Sequence, residues 1–238
     1  ARNGYIHQID GYLPVCETLK PIPYYFDFCD FPEVASYITS YGVDGQLYQQ
    51  KAGDNEGVTS LANNTGSYVS CYEMQMGPSG TISSGWGYLE YRTAYSKSEY
   101  NWWNLLHYDV LGINIGYNGT LTMNVPTILS GRYKVTLGFA YASSMNFMRL
   151  AGDVPSEGSN GGRTSFTFDD DLGKSVSTAI YAAVPVDELN CYKVELFSEL
   201  EFTATRSHKL QLVVLDPAAS IHKNFRLQLD YLLFEPIN

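Results

Sequence analysis

Between Phe225 and Glu235 apolar and polar residues alternate. Phe225, Leu227, Leu229, Tyr231 and Leu233 share one face, and Arg226, Gln228 and Asp230 share the other. A period of two marks a half-buried antiparallel strand. The pattern recurs at Arg132–Tyr141, with Tyr133, Val135, Leu137, Phe139 and Tyr141 opposite Arg132, Lys134 and Thr136. Further strands are expected at Tyr5–Ile9, Tyr68–Met76, Trp86–Arg92, Val110–Tyr117, Thr120–Val125, Thr164–Phe168, Tyr192–Thr205 and Lys209–Asp216. Asn118-Gly119, lying between two of them, predicts a two-residue hairpin turn. Phe31–Ile38 reads as a short helix with Asp30 as N-cap and Pro32 in the first turn. Pro21 and Pro23 mark a linker, and residues 42–66 and 152–162 read as loops rich in glycine and small polar residues. About nine or ten strands with little helix is the count of an all-β jelly-roll sandwich.

The chain has 238 residues, 45% hydrophobic and 17% charged, a globular composition. Its net charge of −10 argues against nucleic-acid phosphate or an anionic membrane as partner. No apolar run approaches the roughly 18 residues needed to span a bilayer, so direct membrane insertion is not expected. No signal peptide is visible, and alanine at position 1 suggests a processed chain. Cys16, Cys29, Cys71 and Cys191 match no zinc spacing. They read as buried thiols or as one oxidised pair, with Cys71 and Cys191 in expected strands.

The 20 tyrosines and 3 tryptophans bear on function. A flat aromatic face covers the apolar side of a sugar ring, while amides and carboxylates bind its hydroxyls. The densest supply is Trp86, Tyr88, Tyr91, Arg92, Tyr95, Tyr100, Trp102 and Trp103, with Glu99, Asn101 and Asn104 nearby. The competing reading packs Trp86 and Tyr88 into the sheet and Trp102 into the core. Asp169-Asp170-Asp171 follows a strand and offers oxygen ligands for calcium, although the spacing is not that of an EF-hand. The competing reading there is a solvated acidic turn. Gly-x-Ser-x-Gly and His-Glu-x-x-His are absent, and His7, His107, His208 and His222 are scattered, so no enzyme is expected.

Two resemblances add to this reading. Asn3-Gly4-Tyr5-Ile6-His7-Gln8-Ile9-Asp10-Gly11-Tyr12-Leu13-Pro14 resembles the closing motif of fasciclin-like domains. It implies that residues 1–22 are the tail of such a domain plus a linker, and that the chain is the C-terminal portion of a longer protein. Residues 23–238 would then form the sandwich. Gly131-Arg132-Tyr133-Lys134-Val135, His208–Val214 and Leu229-Asp230-Tyr231-Leu232-Leu233-Phe234 resemble the galactose-binding-like jelly roll shared by many carbohydrate-binding modules. Arg206-Ser207 departs from the glycine usual before the second piece. Some of these modules hold a structural calcium between early and late strands, which makes Asp27 and Asp230 its counterparts here.

Together the two pieces resemble the fasciclin-containing surface lipoproteins of gut Bacteroidetes. The resemblance implies an exported protein at the cell surface or outer membrane, lipid-anchored upstream of this chain. The expected function is non-enzymatic binding of a polysaccharide or glycoprotein glycan through loop aromatics. The alternative is a structural or protein-adhesion module that holds another surface protein.

Overall fold

The computed structural model describes residues 20–41, 58–63, 66–67, 69–78, 88–93, 105–140, 163–169, 175–179, 184–185, 191–216, 218–221 and 227–237. The strands are β1 (Tyr24–Asp27), β2 (Val58–Asn63), β3 (Gly66–Ser67), β4 (Tyr72–Gln75), β5 (Tyr88–Thr93), β6 (Asp109–Asn114) and β7 (Thr120–Ile128). They continue as β8 (Gly131–Ala140), β9 (Arg163–Phe168), β10 (Ser175–Ala179), β11 (Val184–Pro185), β12 (Cys191–Phe202), β13 (Arg206–Val214) and β14 (Leu227–Pro236). Two α-helices, α1 (Pro32–Tyr41) and α2 (Ala218–Ile221), and one 3-10 turn at Leu106–Tyr108 complete the described elements.

The strands form two antiparallel sheets. The larger runs β11-β12-β8-β14-β6-β5-β2-β3, with β1 also paired to β14, and the smaller runs β10-β9-β13-β7-β4. From β6 to β9 every connection passes from one sheet to the other. This is the all-β jelly-roll sandwich expected from the alternation. Its core is aromatic where the sheets meet. Phe168 of the smaller sheet packs on Phe197, Phe202 and Phe234 of the larger, with centroids 5.6 to 6.1 Å apart. His208, fully buried, lies against Phe202 at 4.3 Å.

Several expectations change. Asn118-Gly119 does supply the left-handed turn, with Asn118 at φ 58°. Gly119 is required there, because a Cβ would lie 2.2 Å from the Ile115 carbonyl oxygen. Yet β6 and β7 belong to different sheets, so the turn is a crossover and not a hairpin. The Asn118 amide donates to Val214 of β13 instead. Residues 42–66, read as loop, contain β2, which pairs with β5. The strand expected at Tyr68–Met76 begins only at Tyr72, and Cys71 lies in a turn. β1 follows the proline-marked linker and was not foreseen. α1 starts at Pro32, and the Ala35 amide bonds Phe31 O, so Phe31 rather than Asp30 stands at the cap. Residues 1–19 and 152–162, including the fasciclin-like motif, lie outside the described residues.

The alternation at Arg132–Tyr141 holds through Phe139: Tyr133, Val135, Leu137 and Phe139 are buried. In β14 it breaks. Leu227 and Leu229 are buried as expected, but the buried set then moves to Leu232 and Phe234. Tyr231 and Leu233 are left half-buried. The cause is a register shift against β8 between Leu229 and Tyr231, which centres on Asp230. An irregularity of this kind flips the faces of the residues beyond it.

Phe234 sits where β1, β8 and the smaller sheet converge, packed on Tyr24, Tyr133, Phe168 and Phe202. Truncating a fully buried phenylalanine removes transfer free energy and leaves a cavity. Phe234→Ala is therefore expected to lower unfolding free energy by about 3–5 kcal/mol in a urea titration. A loss below about 1 kcal/mol would mean that this face is not core.

Candidate functional site

One edge of β14 pairs with β8. The other is shared by two strands: β6 covers Leu227–Leu229, and β1 covers Tyr231–Phe234. Both run antiparallel to β14, so they lie end to end, with the close of β1 meeting the start of β6. Asp27 is the last residue of β1 and Asp109 the first of β6. Asp230 lies between the two paired stretches, at the register shift of β14. Three carboxylates therefore converge on one seam inside the larger sheet.

Asp27 and Asp230 are only 4% and 3% exposed. Asp27 Oδ1 accepts the Cys29 amide at 2.7 Å, and its Oδ2 lies 2.7 Å from His107 Nδ1. Both oxygens of Asp230 accept the Leu106 amide, at 3.1 and 3.3 Å. The Tyr91 hydroxyl donates to Asp109 Oδ2 at 3.0 Å. Asp109 Oδ1 is buried and has no partner among the described residues. One oxygen each of Asp27 and Asp109 and the Cys29 Sγ all lie within 4.8 Å of one another.

The turn that delivers His107 is strained. His107 and Tyr108 have φ of 54° and 62°, a left-handed backbone in two successive non-glycine residues. Such conformations cost of order 1–3 kcal/mol each and persist where the surroundings impose them. Here the Leu106 amide is fixed to Asp230, the Tyr108 amide to Leu105 O and the His107 ring to Asp27.

Burial dominates the electrostatics. It pushes the Asp109 carboxyl up to about 8, and the nearby Asp27 charge adds to this while Tyr91 opposes it. Burial pushes Asp230 up to about 9, against the Leu106 hydrogen bond and helped by Asp27 and Asp109. Asp27 is also raised, by burial first, although its bonds to Cys29 and His107 pull it back. The Cys29 thiol is raised well above its ordinary value by burial and then by all three carboxylates. Among the described residues, no lysine or arginine side chain is bonded to the three acids, and the His107 ring meets Asp27 alone. Three buried carboxylates cannot all ionise so close together without a counter-charge. The seam must either hold protons or hold a cation. An orphaned, buried carboxylate oxygen beside the Asp27 carboxylate fits a divalent cation.

The residues named from sequence separate. Asp27 and Asp230, expected as calcium counterparts, both lie at the seam, near enough for Asp27 to raise the Asp230 carboxyl, but the donors that share one group within 4.8 Å are Asp27, Asp109 and Cys29. Tyr91 is not an exposed platform: it is 4% exposed and its hydroxyl serves Asp109. The backbones of Tyr88 and Arg92 lie in β5, with side chains outside the described set. Trp86, Tyr95, Tyr100, Trp102 and Trp103 lie outside the described residues, as do Asp170 and Asp171. Asp169 is engaged on both oxygens, by Arg206 at 3.0 Å, His208 at 3.1 Å and the Lys209 amide at 3.1 Å. Burial acts to raise its carboxyl, but these donors outweigh burial and hold it below its ordinary value. Asp169 is thus a strut between β9 and β13. Cys29 and Cys71 are free thiols, and burial pushes Cys71 up to about 12. Asp109 and the Leu106 amide were missed. The visible signal was Leu106-His107-Tyr108-Asp109, a polar interruption directly before a strand.

A family model described as a domain of unknown function, DUF5108, matches residues 26–237. The chain belongs to the DUF5108 family. The match includes Asp27, Cys29, His107, Asp109 and Asp230, so the whole seam lies within the DUF5108 domain. No curated protein matches the chain. Among solved structures, a Paenibacillus xanthan lyase is similar, with TM-score 0.40 and 15% identity over 57% of this chain and 11% of the lyase. A Podospora anserina GH26-CBM35 β-(1,4)-mannanase has TM-score 0.36 and 9% identity, over 70% of this chain and 28% of the enzyme. The CBM36-1 domain of a multidomain xylanase from the hindgut metagenome of Trinervitermes trinervoides has TM-score 0.33 and 11% identity, over 70% of this chain and 98% of that domain. The chain spans well under two thirds of the lyase and of the mannanase.

The seam carries its own test. Carboxyls raised in the folded state contribute stability that is full below their unfolded value near 3.8. That contribution falls as pH rises through about 8 for Asp109 and about 9 for Asp230. Chelated protein is therefore expected to melt at progressively lower temperature from pH 5 to pH 9. Asp109→Asn should flatten this slope and raise the melting temperature of chelated protein at pH 8.5. A slope of the opposite sign in calorimetry would mean that the carboxylates are neutralised by protein charges.

Proposed function

We propose that this chain is a non-enzymatic binding module whose sandwich is closed by a divalent cation at the Asp27–Asp109–Asp230 seam. The module binds glycans through the aromatics of residues 86–103. The observation that carries this reading is the way the seam brackets the aromatic segment. Residues 94–104 depart from Thr93, which pairs with Asp109 across β5 and β6. They return at Leu105, whose neighbour Leu106 is bonded to Asp230. The segment holding Tyr95, Tyr100, Trp102 and Trp103 thus leaves from a strand residue paired through its backbone with Asp109 and returns beside an amide held by the Asp230 carboxylate. When bound, the cation supplies counter-charge that lets all three acids ionise. Asp27 and Asp109 would hold it, with Asp230 adding nearby negative charge, and His107 and Tyr91 would orient the two holding carboxylates from outside.

Sugar faces stack on tryptophan and tyrosine, and a pre-organised loop loses less entropy on binding than a loose one. Affinity per site is expected to be low and to rise with several copies or domains acting together. The setting proposed is the cell surface of the exporting organism, as the fasciclin-like motif implies.

A glycan array with metal-loaded and chelated protein tests the reading. Binding to one polysaccharide class is expected, weakened about tenfold or more by chelation. Trp103→Ala and Tyr100→Ala should each abolish it while leaving the melting temperature within about 2 °C. A blank array with folded, metal-loaded protein would overturn the glycan reading in favour of a protein partner.

A further inference from the structure

Cys29 is the residue at the seam that a hard, oxygen-seeking ion leaves unexplained. Its side chain is 6% exposed, and its thiol is in no disulfide. Its sulfur lies within 4.8 Å of one oxygen of Asp27 and one oxygen of Asp109. The Cys29 amide is itself bonded to Asp27 Oδ1, which ties the backbone that carries the thiol to the carboxylate.

We propose that the seam of this chain is a mixed thiolate–carboxylate site, with Cys29, Asp27 and Asp109 as ligands, that selects a thiophilic divalent ion of the zinc class over calcium. The inference rests on the reading above that the seam holds a cation, and it names the ion. Calcium takes six to eight oxygens and makes no use of sulfur. Zinc takes four ligands and binds sulfur, nitrogen and carboxylate oxygen together. Three protein donors and one water complete such a set. Asp109 Oδ1, buried without a partner, is the free oxygen this geometry needs. The second sphere is in place as well. His107 bonds one Asp27 oxygen and Tyr91 bonds Asp109 Oδ2, the outer support that fixes ligand carboxylates in metal sites. Binding would release the thiol proton to solvent, because a coordinating thiol is deprotonated by the metal. Burial keeps that thiol protonated in the absence of metal. Cys71, half-buried and outside the group of three, is not a ligand.

The test uses the full chain, reduced and stripped with chelator, then titrated with cobalt(II) as a spectroscopic stand-in for zinc. A near-ultraviolet thiolate-to-cobalt charge-transfer band is expected to saturate at one equivalent. Zinc should displace the cobalt and calcium should not. Cys71→Ser should keep the band and Cys29→Ser should lose it. Zinc affinity should fall about 100-fold or more in Cys29→Ser, since loss of even an outer-sphere partner costs about 10–100-fold. If Cys29→Ser does not fold, the wild-type band and its persistence in Cys71→Ser decide the matter. Calcium binding that raises the melting temperature with no thiolate band under cobalt would overturn this inference while leaving the cation reading intact. No binding of cobalt, zinc or calcium, with melting indifferent to chelator, would overturn both.

Discussion

Two strands compete for one edge of β14, and the fold depends on how their ends are joined. β1 and β6 together cover the length that a single strand would otherwise cover. The break between them exposes backbone and side-chain polar groups inside a sheet, where unpaired groups are costly. The structure fills the break with side chains. Asp230 takes up the Leu106 amide, and Asp27 takes up the Cys29 amide and the His107 ring. The backbone carbonyl of Asp230 accepts the Phe28 amide just beyond β1. Acidic residues suit this task because each carboxylate accepts several hydrogen bonds. Placing three together creates a charge problem that bound protons or a cation would resolve.

That constraint links local strain to long-range packing. The left-handed turn at His107 and Tyr108 is held by bonds to Asp27 and Leu105, and the register shift at Asp230 moves Leu232 and Phe234 into the inter-sheet core. The same shift therefore turns a carboxylate toward the seam and an aromatic ring toward Phe168 and Phe202. A change at the seam would be felt in the core through β14. It would be felt through Thr93 and Leu105 by the aromatic segment between them.

Much of the architecture was legible from period-two patterning because burial against one core enforces it, as in β8. What was not legible followed from events that patterning does not encode. The shift at Asp230 depends on the partner strand, so Tyr231 and Leu233 read as core and are not. Asn118-Gly119 has the backbone chemistry of a hairpin, but the sheets chosen by β6 and β7 depend on contacts with β13 and β14 far along the chain. Asp27 and Asp230 were legible as a pair through resemblance to jelly-roll modules. Asp109 was hidden because a single acid at a strand start carries no signal until its neighbours in space are known. Asp169 attracted notice through its acidic run, and the structure gives it to Arg206 and His208.

The central claim is that the seam is neutralised by a bound divalent ion. Native mass spectrometry of the full chain, purified without chelator and exchanged into volatile buffer containing trace zinc and calcium, measures this directly. The account predicts a dominant species heavier than the bare chain by a single divalent ion, reduced to the bare chain in Asp109→Asn. A spectrum showing only the bare chain for the unaltered protein would contradict it and would leave the carboxylates protonated.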